Sequence, residues 1–412
     1  APFTVALPAR PNPSQPGAPP APRGPKPTEP RTFLAGSHIV RMDQPYSRIA
    51  DALLDTQYWS PADPQKNVYD DTGWTLGELF SVQAVRVADP SVLAAAMAPV
   101  TGRIQAAGGV QGQGPVLLLN HDADPRLMSF RFRHRDLAVR VAEEPFEAAG
   151  RRFNRGSFIL EGGDRAALGR TADDLGLRLH ATASAPAVRT HALRTPRIGY
   201  IHSWLATQDE GWWRLALDRL GVPYDYISTQ TVAATPDLRA RWDVLLFPPV
   251  GRPPQQVIAG LPMWGNPLPW KPTTLTPNLG GLDATEDMRH GLGWQGLANL
   301  ETFVQEGGLL VTTDDTSDLA VGAGWTRGVG AQRSTRLKAP GTVVRTRIVD
   351  PASPIVYGYG EDLSVYLSNG LVFSVSNTLG GRPRRGEAAE PQRPTGRGSL
   401  ADPDIPQGRP YV

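Results

Sequence analysis

Between residues 197 and 313, short apolar runs alternate with amphipathic stretches, and this alternation leaves few folds open. Arg197-Ile-Gly-Tyr-Ile-His202 reads as a buried strand. Thr207-Gln-Asp-Glu210 has the form of a capping box, and a helix continues through Trp212, Trp213, Ala216, Leu217 and Leu220 until Gly221 and Pro223 stop it. Next come strands at 224–227 and 242–247, a helix at about 295–306, and a strand in Gly307-Gly-Leu-Leu-Val-Thr-Thr313. Short strands separated by helices require crossovers, so the expectation is α/β with a doubly wound parallel sheet. Residues 249–293, rich in Pro, Gly and Trp, interrupt this unit. An ordered insertion of that length is usually a lid or a binding loop.

Upstream, an internal repeat is visible. Phe33-Leu-Ala-Gly-Ser-His-Ile-Val40 matches Phe153-Asn-Arg-Gly-Ser-Phe-Ile-Leu160, and each is followed by an acidic helix opener, Asp43 and Asp164. The first copy predicts a strand at 37–41 and a helix at 43–55 with Tyr46, Ile49, Ala50, Leu53 and Leu54 on one face. The second predicts a strand at 115–119, a helix near 124–131, a strand at 137–141, and a helix that ends at Gly176. The expected organisation is a partial α/β repeat at 1–95 with a proline-rich insertion at 8–31, a second α/β repeat at 96–192, and the parallel-sheet domain at 193–345. Short strands at 355–359, 364–367 and 371–375 and a Gly/Pro/Arg-rich tail complete 346–412. Eleven of the first 30 residues are proline, which favours an extended segment there. The first repeat lacks its opening half, so the expectation is that the chain is part of a longer one.

The chemistry is narrowed mainly by what is missing. The chain has no cysteine, which removes disulfides, thiolate metal sites and a cysteine nucleophile. With 42 basic and 40 acidic residues it lacks the basic excess of a nucleic-acid binder. No apolar run reaches the length of a transmembrane helix. Of seven histidines, none starts His-x-x-Glu or belongs to His-Glu-x-x-His. Gly-Lys never occurs, so there is no P-loop, and no Gly-x-Ser-x-Gly elbow exists. His121-Asp-Ala-Asp124 could hold a metal, but a capped turn opening a helix is the favoured reading. Arg131, Arg133 and Arg135 read as a solvated face ahead of a phosphate site.

The best pocket candidate lies beyond the carboxyl ends of the parallel strands. That rule gathers His202, Ser203, Trp204, Gln208, Pro248, Asp314 and Asp315 at one rim, with the insertion above. His202, Gln208, Trp264, Trp270, Asp314 and Asp315 are the candidate substrate-binding residues. Glu210 could be a general base, although the capping box already accounts for it. Asp314 and Asp315 could be acid/base groups or turn residues. Trp264, Trp270 and Trp294 could stack on a ligand, with packing of the insertion onto the body the favoured alternative.

Several blocks carry a resemblance to one family. Val40-Arg-Met-Asp-Gln-Pro-Tyr-Ser-Arg-Ile-Ala-Asp-Ala-Leu-Leu-Asp55, Tyr69-Asp-Asp-Thr-Gly-Trp-Thr-Leu76 and Thr207-Gln-Asp-Glu-Gly-Trp-Trp213 resemble the region after the catalytic domain in large secreted bacterial zinc carboxypeptidase-family proteins. So do Gly265-Asn-Pro-Leu-Pro-Trp270, Thr276-Pro-Asn-Leu-Gly280 and Asp287-Met-Arg-His-Gly-Leu-Gly293. The resemblance implies an upstream domain that binds zinc and cleaves peptides, while this chain carries no zinc ligands and no cofactor. It also implies a class I glutamine-amidotransferase-like fold for 193–345, whose catalytic cysteine would follow the strand ending at Phe247 and has no counterpart here. The function expected from it is that of an accessory, non-catalytic part of a secreted or periplasmic metallocarboxypeptidase. Its partners would be the upstream catalytic domain and a peptide substrate, without nucleic acid, and homo-oligomers stay open. Two alternatives remain: an independent cysteine-free hydrolase site in 193–345, and a structural or cell-surface assembly protein.

Overall fold

The computed structural model describes residues 2–8, 28–55, 73–326, 328–332, 341–367, 372–375 and 410–411. The protein is α/β. It divides into two compact units, one made of 1–104, 332–346 and 363–412, the other of 105–331 and 347–362. Among the described residues no helix is long and apolar enough to cross a membrane.

In the first unit, β1 (Phe3–Pro8) and β2 (Thr28–Phe33) form an antiparallel pair in which Ala6 faces Pro30. Proline lacks a donor, and a two-stranded ribbon, all edge, tolerates it. The strand expected at 37–41 is absent. It gives way to a turn with Gly36 at φ +92° and to exposed chain with no partner strand. α1 (Ser47–Leu54) starts later than expected because Asp43 does not cap it. The Asp43 carboxylate instead takes two bonds from the Arg41 guanidinium, at 2.9 and 2.5 Å. None of its residues is fully buried, so the expected apolar face is not a core face. The short α2 (Leu76–Leu79) follows. Of the three short strands expected near the C-terminus, 362–367 and 372–375 form. Residues 355–359 do not, because Pro354 opens a single 3₁₀ turn there. The proline-rich 9–27, the aromatic stretch 56–72 and the tail at 376–409 lie outside the described residues.

Among its described residues the second unit contains a six-stranded sheet, a four-stranded sheet and a separate two-stranded ribbon. The first is built from β3 (Gly109–Gln111), β4 (Val116–Leu119), β5 (Val139–Ala142) and, after the ribbon of β6 (Phe146–Ala148) and β7 (Arg151–Phe153), from β8 (Phe158–Glu161), β9 (Arg178–Thr182) and β10 (Thr190–Ala192). The strand order is β10-β5-β8-β4-β9-β3, antiparallel except for the β3–β9 pair. β4 reads Val-Leu-Leu-Leu because both its faces are covered. Leu117 and Leu119 join one core with Phe130, Phe158 and Leu160, while Val116 and Leu118 join a second with Phe153 and Ile159. Each such fully buried side chain contributes about 1.5–3 kcal/mol. α3 (Arg126–Arg133) and α4 (Arg165–Leu175) pack on the first core. Asp164 caps α4 by accepting from the Ala166 N–H at 2.9 Å, and Gly176 ends it at φ +64°, both as the sequence indicated.

The second sheet is parallel, with order β12-β11-β13-β14 from β11 (Ile198–His202), β12 (Asp225–Ser228), β13 (Val244–Phe247) and β14 (Leu309–Thr312). α5 (Gln208–Leu220) connects β11 to β12 and ends at Gly221, φ +65°. α6 (Thr229–Ala234) and α7 (Leu238–Arg241) lead to β13, and α8 (Pro254–Ala259) and α9 (Gly293–Gln305) to β14, before α10 (Asp315–Gly322). Ile201, Ile227, Leu245 and Phe247 point to a core shared with Trp242, Leu300, Phe303 and Leu319. Strand alternation therefore sends Tyr200, His202 and Tyr226 to the opposite face, the face of α5.

The insertion between β13 and β14 is ordered, and its first part is helix α8 rather than loop. Its remainder leaves and returns through a narrow neck. Gly260 bridges His290, and a Cβ at Gly260 would lie 2.0 Å from the Arg289 carbonyl oxygen. Further out, Trp270 and Thr285 exchange backbone hydrogen bonds of 2.8 and 3.0 Å.

Candidate functional site

The carboxyl ends of β11, β12, β13 and β14 place His202, Ser228, Phe247 and Thr312 along one rim. His202 is 2 % exposed. Its ring stacks on Tyr226 at 4.2 Å between centroids, 7° from parallel, and meets Trp204 edge-on at 4.8 Å. The Tyr200 and Tyr226 rings lie 6.0 Å apart. His202 Nε2 lies 2.8 Å from Asp283 Oδ2 of the insertion. With Asp283 ionised, Nε2 carries the proton and Nδ1 is left as a lone-pair acceptor, buried and, among the described residues, without a partner. Burial lowers the pKa of His202 against the opposing pull of Asp283, so the ring is held neutral.

Beside it lies a residue whose role the sequence reading missed. Glu210 is buried, and its Oε1 accepts from Tyr226 Oη at 2.8 Å, while Tyr200 Oη donates to the Glu210 carbonyl at 2.7 Å. Burial raises the Glu210 pKa despite that bond, and among the described residues Oε2 has no partner. Burial and the neighbouring Glu210 carboxylate push both Tyr200 and Tyr226 well above the ordinary phenol range. Arg214 sits over the Tyr226 ring at 5.1 Å. The expected capping box therefore does not form: Thr207 makes no side-chain cap bond. Glu210 lies on the inner side of α5, where the half-buried Tyr226 phenol needs an acceptor, and that demand outweighs reaching back to a solvated N–H. The spacing Tyr200–Glu210–Tyr226 was the available signal, but it becomes readable only once β12 is known to lie beside β11.

Asp314 and Asp315 divide into two roles. Asp315 accepts from the backbone N–H groups of Val250 at 3.0 Å and Arg252 at 2.9 Å, and so fixes the loop after β13. Thr316 Oγ1 donates to the Phe247 carbonyl at 2.7 Å and accepts from the Thr313 N–H at 3.0 Å. Between them, Asp314 is exposed and held at φ +49°, ψ −122°, a region that side chains other than glycine avoid. Asp314 and His202 end strands separated by β13, which puts their backbones about 10 Å apart.

The other sequence candidates are scattered. Gln208 is exposed at the first turn of α5. Ser203 is buried, its Oγ accepting from the Leu205 N–H at 3.3 Å, and Pro248 is buried behind the rim. The tryptophans of the insertion do not pack it to the body: Trp264 is 81 % and Trp294 78 % exposed, and Trp270 is also exposed. Polar bonds fasten the insertion instead. Gln230 Nε2 donates to the Asp287 carbonyl at 2.9 Å, Thr285 Oγ1 donates to Gln230 Oε1 at 2.7 Å, and the buried Arg289 holds Asp287 at 2.6 Å and the Trp264 carbonyl at 3.0 Å. Arg289 keeps the Asp287 carboxyl well below the usual carboxylate range. Helix α5 leaves Trp212, Trp213 and Ala216 exposed.

His121-Asp-Ala-Asp124 is the capped turn it was read as. Asp124 accepts from the Arg126 N–H at 2.9 Å and pairs with its guanidinium. Arg131 is no part of a solvated face: it is buried and donates to the carbonyls of His134, Arg135 and Leu193. Among the described residues, no group of three or more His, Cys, Asp or Glu side chains is placed to hold a metal ion.

Comparison with protein-family models, with curated proteins and with solved structures found nothing similar to this chain.

Proposed function

We propose that this chain is a non-catalytic binding module, the accessory part of a secreted or periplasmic zinc-carboxypeptidase-like protein whose peptidase site lies on an upstream domain. The observation that supports this reading is the use made of the reactive side chains at the rim. His202 fastens Asp283, Asp315 fastens the loop after β13, and Arg289 ties Asp287 to the base of the insertion. These groups fix a surface. What the insertion presents outward is apolar and aromatic: Trp264, Leu275, Leu282 and Met263 are all exposed. Such surface on an ordered loop suits a protein or peptide partner. The sequence blocks quoted above suggest the upstream catalytic domain and its peptide substrate. The test begins with the coding sequence before Ala1, which should specify His-x-x-Glu and a distant His. The longer protein should then release C-terminal residues from peptides in a chelator-sensitive way, and Trp264→Ala with Trp294→Ala should raise KM. Absence of the zinc motif, or peptidase activity in 1–412 alone, refutes the proposal.

Asp314 supports a second reading, an independent hydrolase. A strained strand-to-helix turn is a placement used for nucleophiles. The carboxylate would attack an ester carbonyl and expel the alkoxide, which takes a proton from water. Water would then cleave the resulting anhydride and restore the carboxylate. Chelator-insensitive ester hydrolysis by 1–412 that is lost in Asp314→Ala supports this reading, and its absence removes it.

A further inference from the structure

Where the two sheets of the second unit meet, a groove of about 720 Å³ lies far from the rim, at the opposite ends of the parallel strands. Its volume falls within the range of small-molecule sites. Phe132, Leu137, Val139, Ile159, Leu193 and Pro223 supply its apolar lining. The charged lining consists of five arginines, 131, 135, 140, 194 and 197, against Asp136 and Glu161.

Three of the arginines are engaged. Arg131 is spent on carbonyl oxygens, Arg140 pairs with Glu161 at 3.0 Å, and Arg197 pairs with Asp243 at 3.0 Å. Arg135 and Arg194 remain. Both guanidinium groups are exposed, and among the described residues neither makes a hydrogen bond or an ion pair. They come from two segments that are clamped together: Thr195 Oγ1 donates to the Arg135 carbonyl at 3.3 Å, and Arg131 Nη2 to the Leu193 carbonyl at 2.9 Å. Two free planar cations thus stand beside a fixed apolar floor, opposed by the single free carboxylate of Asp136. A neutral apolar ligand would leave the guanidinium groups unused, and a bare phosphate would leave the floor unused.

We infer that this groove binds a small organic carboxylate with an apolar body, the body lying on the partly buried Leu137 and Leu193 and the carboxylate taken by Arg135 and Arg194. The probe is 4-phenylbutyrate, titrated into the full 412-residue chain by calorimetry, with its neutral twin 4-phenylbutyramide as the second arm. The carboxylate should bind saturably with Kd at or below about 1 mM, and the amide about tenfold or more weakly. Arg135→Gln and Arg194→Gln should each weaken the carboxylate at least about threefold while leaving amide binding and the thermal midpoint unchanged. Both side chains are exposed and unpartnered, so the variants should fold. Failure of the carboxylate to saturate, equal binding of acid and amide, or unchanged affinity in both variants overturns the inference.

Discussion

Replacing Asp314 in parallel by glycine and by alanine separates its backbone strain from its side-chain chemistry. Both variants lose the same carboxylate, so whatever it contacts cancels in the comparison. At an ordinary position alanine would be the more stable by about 0.4–1 kcal/mol, because glycine leaves the unfolded chain more freedom. At φ +49°, ψ −122° a Cβ is strained by about 1–3 kcal/mol. The second effect is the larger, so the glycine variant should be the more stable by about 1–2 kcal/mol. For a unit of this size that is a difference in midpoint of about 2–8 °C. Urea denaturation, combined with amide exchange in β14 and α10, reads it within the correct unit. Strain of this kind persists only where neighbours impose it. Here Asp315 grips the Val250 and Arg252 amides, and Thr316 grips the Phe247 carbonyl. Thr316→Val should therefore shrink the glycine–alanine gap. An alanine variant as stable as the glycine variant would refute the reasoning, since the turn would then impose no strain.

Three further outcomes are expected. Asp283→Ala leaves the buried His202 Nε2–H without its acceptor and should destabilise by about 1–3 kcal/mol, with faster proteolysis at 262–288; unchanged proteolysis counts against a fastening role. Glu210→Gln keeps an acceptor for Tyr226 but removes the titration. Because the folded pKa of Glu210 is raised, wild-type stability is full below the unfolded value of about 4.3 and declines as pH rises through the folded value. The glutamine variant should therefore gain on the wild type between pH 4 and 7, and a pH-independent difference in chemical denaturation would contradict this. Arg289→Ala should lower the thermal midpoint more than Arg252→Ala, because Arg289 is buried against Asp287 whereas the Arg252 bond to Asp315 is made by its backbone.

The parallel sheet was legible because short apolar runs alternate with helices whose ends are marked in the sequence, as Gly221 marks the end of α5. The strands and helices between 115 and 176 were legible for the same reason, down to Asp164 and Gly176. The match between 33–40 and 153–160 misled at 37–41: an apolar run marks a strand only where a partner strand exists, and among the described residues none lies alongside. At the site, His202 was found by its place at a strand end. Its partner Asp283 is 81 residues away, and no local pattern announces it. Glu210 shows the opposite failure. A strong local motif explained it well enough to hide Tyr226, which claims its side chain. The tryptophans were assigned to packing by hydrophobicity alone, but polar clamps at Gln230 and Arg289 had already fastened the insertion.

The neck at Gly260 and His290 gives the insertion a modular character. Its two ends are backbone neighbours, with the Leu261 amide donating to the Arg289 carbonyl at 2.8 Å, so the parent α/β unit is closed whatever the excursion contains. A short turn could replace 262–288, and foreign loops could be spliced there, without stretching α8 or α9. The surface that the insertion presents is in that sense a cassette, exchangeable while the sheet beneath stays as it is.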